Sequence, residues 1–331
     1  MNQTVYISSA NSQQIEVWKL NSNLSLNLIQ ILKTDGEPQS IIISNSKNCL
    51  YVGIRPKFHI CSYKIDIDGT LIEIGKTNIL HNINHFELDK NENYLFSSSY
   101  HFNCISVSPI NSFGIPQPSI QTIYKINGCH ASQMHDNNIY LFVSSLRGNR
   151  IYLYNFTDEG ILLRNKKTFI PLENNSGPRH MLFQSSLNRL FSVNELNGTV
   201  SIWNIDKLCK NINLLKNINI IPNSKVNPAW SSDIHISPCE KYLYASDRNS
   251  NHIAIIKNSK NITDIKVIKY VLTEIQPRSF GIDQTGKCLI SIGEKSNKMS
   301  IYSLDNTTGF LKFKNRYPTG NRPVWISIRS I

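Results

Sequence analysis

The chain has 331 residues, 40% hydrophobic and 18% charged, a balance that excludes a disordered or collagen-like polymer and suits a large all-β architecture. Lys and Arg outnumber Asp and Glu by 35 to 23, for a net charge of +12, but the lysines are scattered. With no long basic run and no aromatic–basic RNA motif, nucleic acid is not an expected partner; the surplus favours a small anionic ligand instead.

The first residues, MNQTVYISSA, lead straight into a strand. They lack a basic region followed by an apolar core, so no secretory signal is expected, and no apolar run is long enough to span a membrane. From there one unit recurs along the chain: a short strand, a polar turn, a Leu/Tyr-rich strand, a loop, a β-branched or aromatic strand, and a last strand. The second strands read LYVGI (50–54), LFSSS (95–99), LFVSS (141–145), LFSVN (190–194), LYASD (243–247) and LISIG (289–293). The third strands read IEVWKL, ICSYKI, ISVSPI, IYLYNF, VSIWNI, IAIIKN and MSIYSL. First strands begin near Gln39, Asn84, His130, Arg179, Ser232 and Arg278, spaced by 45, 46, 49, 53 and 46 residues.

Four strands per unit at this period predict an all-β, seven-bladed β-propeller of antiparallel four-stranded blades. The chain opens at Thr4 with a second-type strand and closes with a first-type strand, Pro323-VWISI. The last strand is therefore expected to complete the N-terminal blade and close the ring, removing two open sheet edges. No composition break interrupts residues 1–331, which read as a single domain, and no stretch keeps helical spacing for three turns. The seven cysteines are odd in number and show no CxxC pair, which argues against disulfides or structural zinc and for a reducing, cytoplasmic setting.

The segment GPRHMLFQSSLNRLFSVNELN (177–197) reads as one hairpin, with strands near Arg179–Phe183 and Arg189–Glu195 joined by a polar turn. Antiparallel pairing places the start of the first strand beside the end of the second, so Arg179 and His180 meet Asn194 and Glu195. First strands line a propeller's channel, and one face of the ring should then gather Gln39, Asn84, His130, Arg179, Ser232 and Arg278. Second-strand ends bring Arg55, Tyr100, Leu146, Glu195, Arg248 and Glu294 to that face, with His180, Asn194, Asp233 and Asp247 one position away. Turns such as Asn45–Asn48 and Gln284–Lys287 feed the opposite face. Blander roles exist for each: Arg179–Glu195 also suits a structural ion pair, Asp233 a blade-to-blade hydrogen bond, and Trp230 and Trp325 packing.

No GxSxG elbow, P-loop, Rossmann fingerprint or CxxC pair occurs, so no cofactor or metal is expected. Arginines, a histidine and a glutamate around a polar mouth suit an anionic substrate and acyl chemistry with water. Arginines hold phosphate or carboxylate through fork-shaped hydrogen bonds, a Glu or His takes a proton from water, and a cation stabilises the oxyanion.

The opening QTVYISSANSQQIEVWKLN, LYVGIRPKFHICSYKID, GCHAS, GPRHMLF with VNELNGTVSIWNI, TEIQPRSFGIDQTGK and the closing RPVWISI resemble the seven-bladed 6-phosphogluconolactonase group, which is related to fungal carboxymuconate-lactonising enzymes. The resemblance covers essentially the whole chain. It implies a metal-free carboxylic-ester hydrolase of the pentose phosphate pathway acting on a small phosphorylated sugar lactone; separately, the chain is expected to be cytoplasmic and a monomer. The pattern places His130, Arg179, Glu195 and Arg278 in the catalytic set. Glu195 or His130 would activate water, with Arg179 and Arg278 orienting substrate. Arg55, His180 and Arg248, with Asn194 and Asp233 beside them, are the substrate-binding candidates. A lactonase for another organic acid and a non-catalytic WD40-like scaffold are the alternatives; the repeats lack the Gly-His pair of the latter.

Overall fold

A computed structural model of the chain describes residues 3–223 and 228–330, without the side chains of 166–168 and 330. Its seven sheets each contain four antiparallel strands and form a ring. The inner strands are Glu37–Ser44, His85–Leu88, Cys129–Met134, Pro178–Gln184, Ser231–Ile236, Pro277–Ile282 and Pro323–Ser330. The only helical pieces among the described residues are two short 3-10 turns. No helix is long and apolar enough to cross a membrane.

The continuous apolar character of the second and third strands has a direct cause. Neighbouring side chains on a strand point to opposite faces, and here both faces are covered by another blade. Leu50, Val52 and Ile54 pack against the first blade, whereas Cys49 and Tyr51 on the same strand pack against the third. Seven such clusters fill the seven blade–blade interfaces. Outer strands have only one covered face, and Leu26–Lys33 is accordingly buried only at Leu26 and exposed or half-buried beyond it.

The expected closure is present. Pro323–Ser330 pairs antiparallel with Gln3–Ser9, placing Ile328 opposite Val5 and Trp325 opposite Ser8. The first blade is thus assembled from both ends of the chain.

One feature of the inner strands sets up the site. Six of the seven carry one residue more than their partner needs, a β-bulge near the same end. The irregular stretches contain Gln39–Ser40, His130–Ala131, Arg179–His180, Ser232–Asp233, Arg278 and Val324. A bulge breaks the strict two-residue alternation and re-aims side chains. Small polar side chains staple these irregular stretches. Ser144 Oγ bonds Ala131 N at 3.0 Å and donates to Arg179 O of the next blade at 2.7 Å, and Ser8 Oγ donates to Gln39 O at 2.6 Å.

Candidate active site at the channel mouth

The GPRH–NELN hairpin forms as the sequence indicates, with strands Pro178–Gln184 and Arg189–Asn194. Gly177, at φ +65°, turns the chain into the first strand and accepts a hydrogen bond from Glu195 N at 2.7 Å. That bond sets Glu195 beside Arg179. Arg179 Nε lies 3.1 Å from Glu195 Oε2, and Arg248 Nη2 reaches the same oxygen at 2.6 Å. Glu195 Oε1 has no protein partner among the described residues. Arg179 is 1% exposed, whereas the Glu195 side chain is 14% exposed and open to the mouth.

Arg248 is held from several sides. Its guanidinium stacks 3.9 Å above the Trp230 ring, and Nε donates to Trp230 O at 3.1 Å. Trp230 is therefore a platform for an arginine. Burial lowers the Arg248 pKa to about 10, against the opposing pull of Glu195.

Around this core the mouth is rich in cations. Arg278 lies 3.8 Å from Glu294, and Glu294 also takes Arg322 Nε at 3.0 Å. Burial alone would raise the Glu294 pKa, but Arg278 and Arg322 hold it below the ordinary value. Arg55 donates to Ile83 O at 2.8 Å and has no carboxylate within ion-pair distance among the described residues. Its pKa is lowered to about 10, first by burial and then by Arg278 and Arg322. Arg147 sits 4.6 Å over the Tyr100 ring and donates to its hydroxyl at 3.0 Å.

Below the arginines the channel narrows to a neck of imidazoles. The His180 ring centroid lies 5.3 Å from those of His130 and His85 and 5.4 Å from that of Trp325. His180 Nδ1 is 2.7 Å from Asp233 Oδ1, and His180 Nε2 is 3.1 Å from Arg179 Nη1. Asp233 Oδ2 also accepts from Ser279 Oγ at 3.0 Å and from Phe280 N at 3.3 Å in the next blade. Burial, then Arg179, pulls the His180 pKa down to about 4. Burial, followed by Arg179 and His180, holds His130 well below the ordinary value. His130 Nδ1 is buried with no hydrogen-bond partner among the described residues.

Beyond the neck, a channel cavity of about 490 Å³ opens toward Asn45 and Gln284 on the opposite face. Eight isoleucines line it together with Glu87, Gln133, His235 and Arg329, and it contains none of the mouth arginines. The clustered arginines lie on the other side of the neck, and this cavity has Arg329 alone.

The structure brings together His130, Arg179, Glu195, Arg248, Arg278 and Arg55 at or just below one mouth. His180 and Asp233 lie a layer deeper, bonded to each other. Asn194 points into its own blade, where its amide binds Thr199 and Ser201 hydroxyls, each at 2.8 Å. Sequence reading passed over Arg147, Arg322 and His85, each next to a position it had singled out (Leu146, the closing Pro323 and Asn84). Among the described residues Asp35, His59 and Cys61 offer ligand atoms within 4.8 Å of one another. Lys76 and Lys57 lie 3.1 and 3.6 Å from Asp35, so a metal ion there would compete with two ammonium groups.

Comparison with known proteins agrees with this picture. A family profile described as "Lactonase, 7-bladed beta-propeller" matches residues 4–328. A 6-phosphogluconolactonase of Buchnera aphidicola subsp. Baizongia pistaciae is 53% identical over 99% of both chains. A 6-phosphogluconolactonase of Yersinia pseudotuberculosis is 38% identical over 99% of this chain and 98% of its own. Among solved structures, a periplasmic gluconolactonase of Pseudomonas aeruginosa superposes with a TM-score of 0.92 at 17% identity, covering 100% of this chain and 99% of that one. At that identity the likeness concerns the fold alone.

Proposed function

The chain belongs to the lactonase family of seven-bladed β-propellers, and on that premise we propose that it hydrolyses 6-phospho-D-glucono-1,5-lactone to 6-phospho-D-gluconate. The observation that carries the phosphate is the charge surplus at the mouth. Five arginines (55, 179, 248, 278 and 322) face three carboxylates (Glu37, Glu195 and Glu294), an excess of two positive charges. A phosphate monoester carries about −1.5 to −2 at neutral pH and fits that surplus. Arg55, lacking a carboxylate of its own, is the leading phosphate ligand, with Arg278 and Arg147 nearby on the same face.

For the chemical step, water held at Glu195 Oε1 gives its proton to that oxygen as it attacks C1 of the lactone. Arg179 and Arg278 stabilise the oxyanion that develops on the carbonyl oxygen. Collapse of the tetrahedral intermediate breaks the bond from C1 to the ring oxygen. Glu195 returns the proton to that oxygen, leaving a free hydroxyl and a carboxylic acid that ionises in water. Arg248 keeps Oε2 occupied and fixes the carboxylate plane, and His130 lines the floor. The reading extends to a monomer in the cytoplasm, because every group it uses lies in one ring and all seven cysteines are free.

The decisive assay compares phosphorylated with unphosphorylated gluconolactone on purified protein, with and without a chelator. Turnover that prefers the phosphorylated lactone and survives the chelator supports the proposal. Equal rates on both lactones point to another organic acid, and no turnover on either points to a scaffold.

A further inference from the structure

We propose that His180 and Asp233 form a positioning dyad that fixes the guanidinium of Arg179 through a neutral, Nδ1-protonated imidazole. The proton assignment follows from the contacts. Arg179 Nη1 can only donate, so His180 Nε2, 3.1 Å away, must accept and carries no proton. The neutral ring then has its single hydrogen on Nδ1, where it donates to Asp233 Oδ1 at 2.7 Å. An imidazolium would leave Arg179 without this acceptor and set two cations side by side.

Asp233 is itself immobilised across the blades. Its oxygens take Ser279 Oγ at 3.0 Å, Phe280 N at 3.3 Å and Ile234 N at 3.0 Å, and His235 Nε2 lies 3.4 Å away. Three consecutive blades thereby hold one side chain. On Arg179, Nη1 is committed to His180 and to the Ser232 carbonyl, whereas Nε lies 3.1 Å from Glu195 Oε2 as an ion pair without a formed hydrogen bond. Nη2 makes no hydrogen bond to the protein among the described residues, and Nε, closed in beside Glu195, is held by charge alone. The dyad therefore leaves one donor of a buried arginine for the substrate and fixes its direction. A hydrogen-bond donor whose direction is set beforehand need not reorganise as charge develops in the transition state.

The kinetic part of this inference rests on the lactonase reading; the spectroscopic part does not. Imidazole ¹⁵N spectra at pH 7, assigned by comparison with His180→Gln, should show His180 protonated at Nδ1 and bare at Nε2. An Nε2-protonated ring or an imidazolium would overturn the dyad whatever the protein turns over. In kinetics, His180→Leu and Asp233→Asn should each lower kcat about ten- to a hundredfold with little change in KM, because the loss falls on a transition-state contact. His180→Gln, which can place a carbonyl oxygen near the Nε2 position, should recover most of that loss. A purely structural role predicts losses that track thermal stability and no advantage for Gln over Leu. If His180→Leu fails to fold, the Gln and Asn variants and the spectra still decide, and normal kcat in folded Asp233→Asn overturns the proposal.

Discussion

Two side chains compete for the proton of the attacking water, and their surroundings differ in a way that kinetics can read. His130 is buried beside Arg179 and His180 and its pKa lies well below the ordinary histidine value, so it is neutral throughout the usual working range. An acidic limb near pH 6–7, expected for an unperturbed histidine base, should therefore be missing from the pH–rate profile. Glu195→Gln should keep the fold and lower kcat by about 10²–10⁴-fold. His130→Asn should cost less than about tenfold, and a larger loss for His130→Asn than for Glu195→Gln would reverse the assignment. Arg55→Ala removes a charge-assisted hydrogen bond worth about 1.5–3 kcal/mol, or about ten- to a hundredfold in kcat/KM, on the phosphorylated lactone only. Equal losses on both lactones would place the phosphate elsewhere. At this scale the sequence was legible where residue type and strand position coincide, as in Arg179 and Glu195. It was not legible for Asn194, whose side chain turns into its own blade, or for Arg147, one residue beyond the aligned strand end.

The hairpin that carries the site depends on its first turn. A Cβ on Gly177 would lie 2.6 Å from Leu196 Cγ, and the left-handed φ of +65° is strained for any side chain. Gly177→Ala should lower stability by about 1–3 kcal/mol and, by moving Glu195 against Arg179, reduce kcat more than KM. A variant with unchanged melting temperature and unchanged kcat would show that the turn does not set the pair. Strand positions could be read because both faces of the second and third strands of each blade are covered, which writes continuous apolar runs into the sequence. The observed inner strands begin within two residues of the positions expected from spacing, as at Glu37, His85 and Pro178. The bulges could not be read in the same way. An extra residue shows only when a strand is laid against its partner, and it decides which of two neighbours, such as Arg179 and His180, looks up or across the channel.

For the ring as a whole, closure and acid response are the properties to test. Removing the residues after Arg322 strips the inner strand from the first blade and exposes the edge of Gln3–Ser9, so the truncated chain should aggregate. A truncated chain that stays monomeric with its melting temperature unchanged would count against a closure role for that strand. The neck histidines predict the acid response. The folded pKa of His180 is about 4, below the roughly 6.5 of an unfolded histidine, and His85 and His130 are displaced in the same direction by burial. Between those two values the unfolded chain binds protons that the folded ring refuses, so stability falls as pH falls through that window. Glu87 acts with the opposite sign. Burial raises its folded pKa to about 7, so over the same range it takes up a proton in the fold before the unfolded chain does. His81, His101 and His135 are lowered by burial too, so six histidines against one glutamate leave a net loss on acidification. Denaturant midpoints at pH 7.5, 6.5, 5.5 and 4.5 should therefore decline before ordinary carboxylates begin to titrate. His130→Asn should flatten the slope by up to about 1.4 kcal/mol per pH unit, the equivalent of one proton. A wild-type stability that stays level from pH 7 to pH 5 would mean that the neck accepts protons without resisting them.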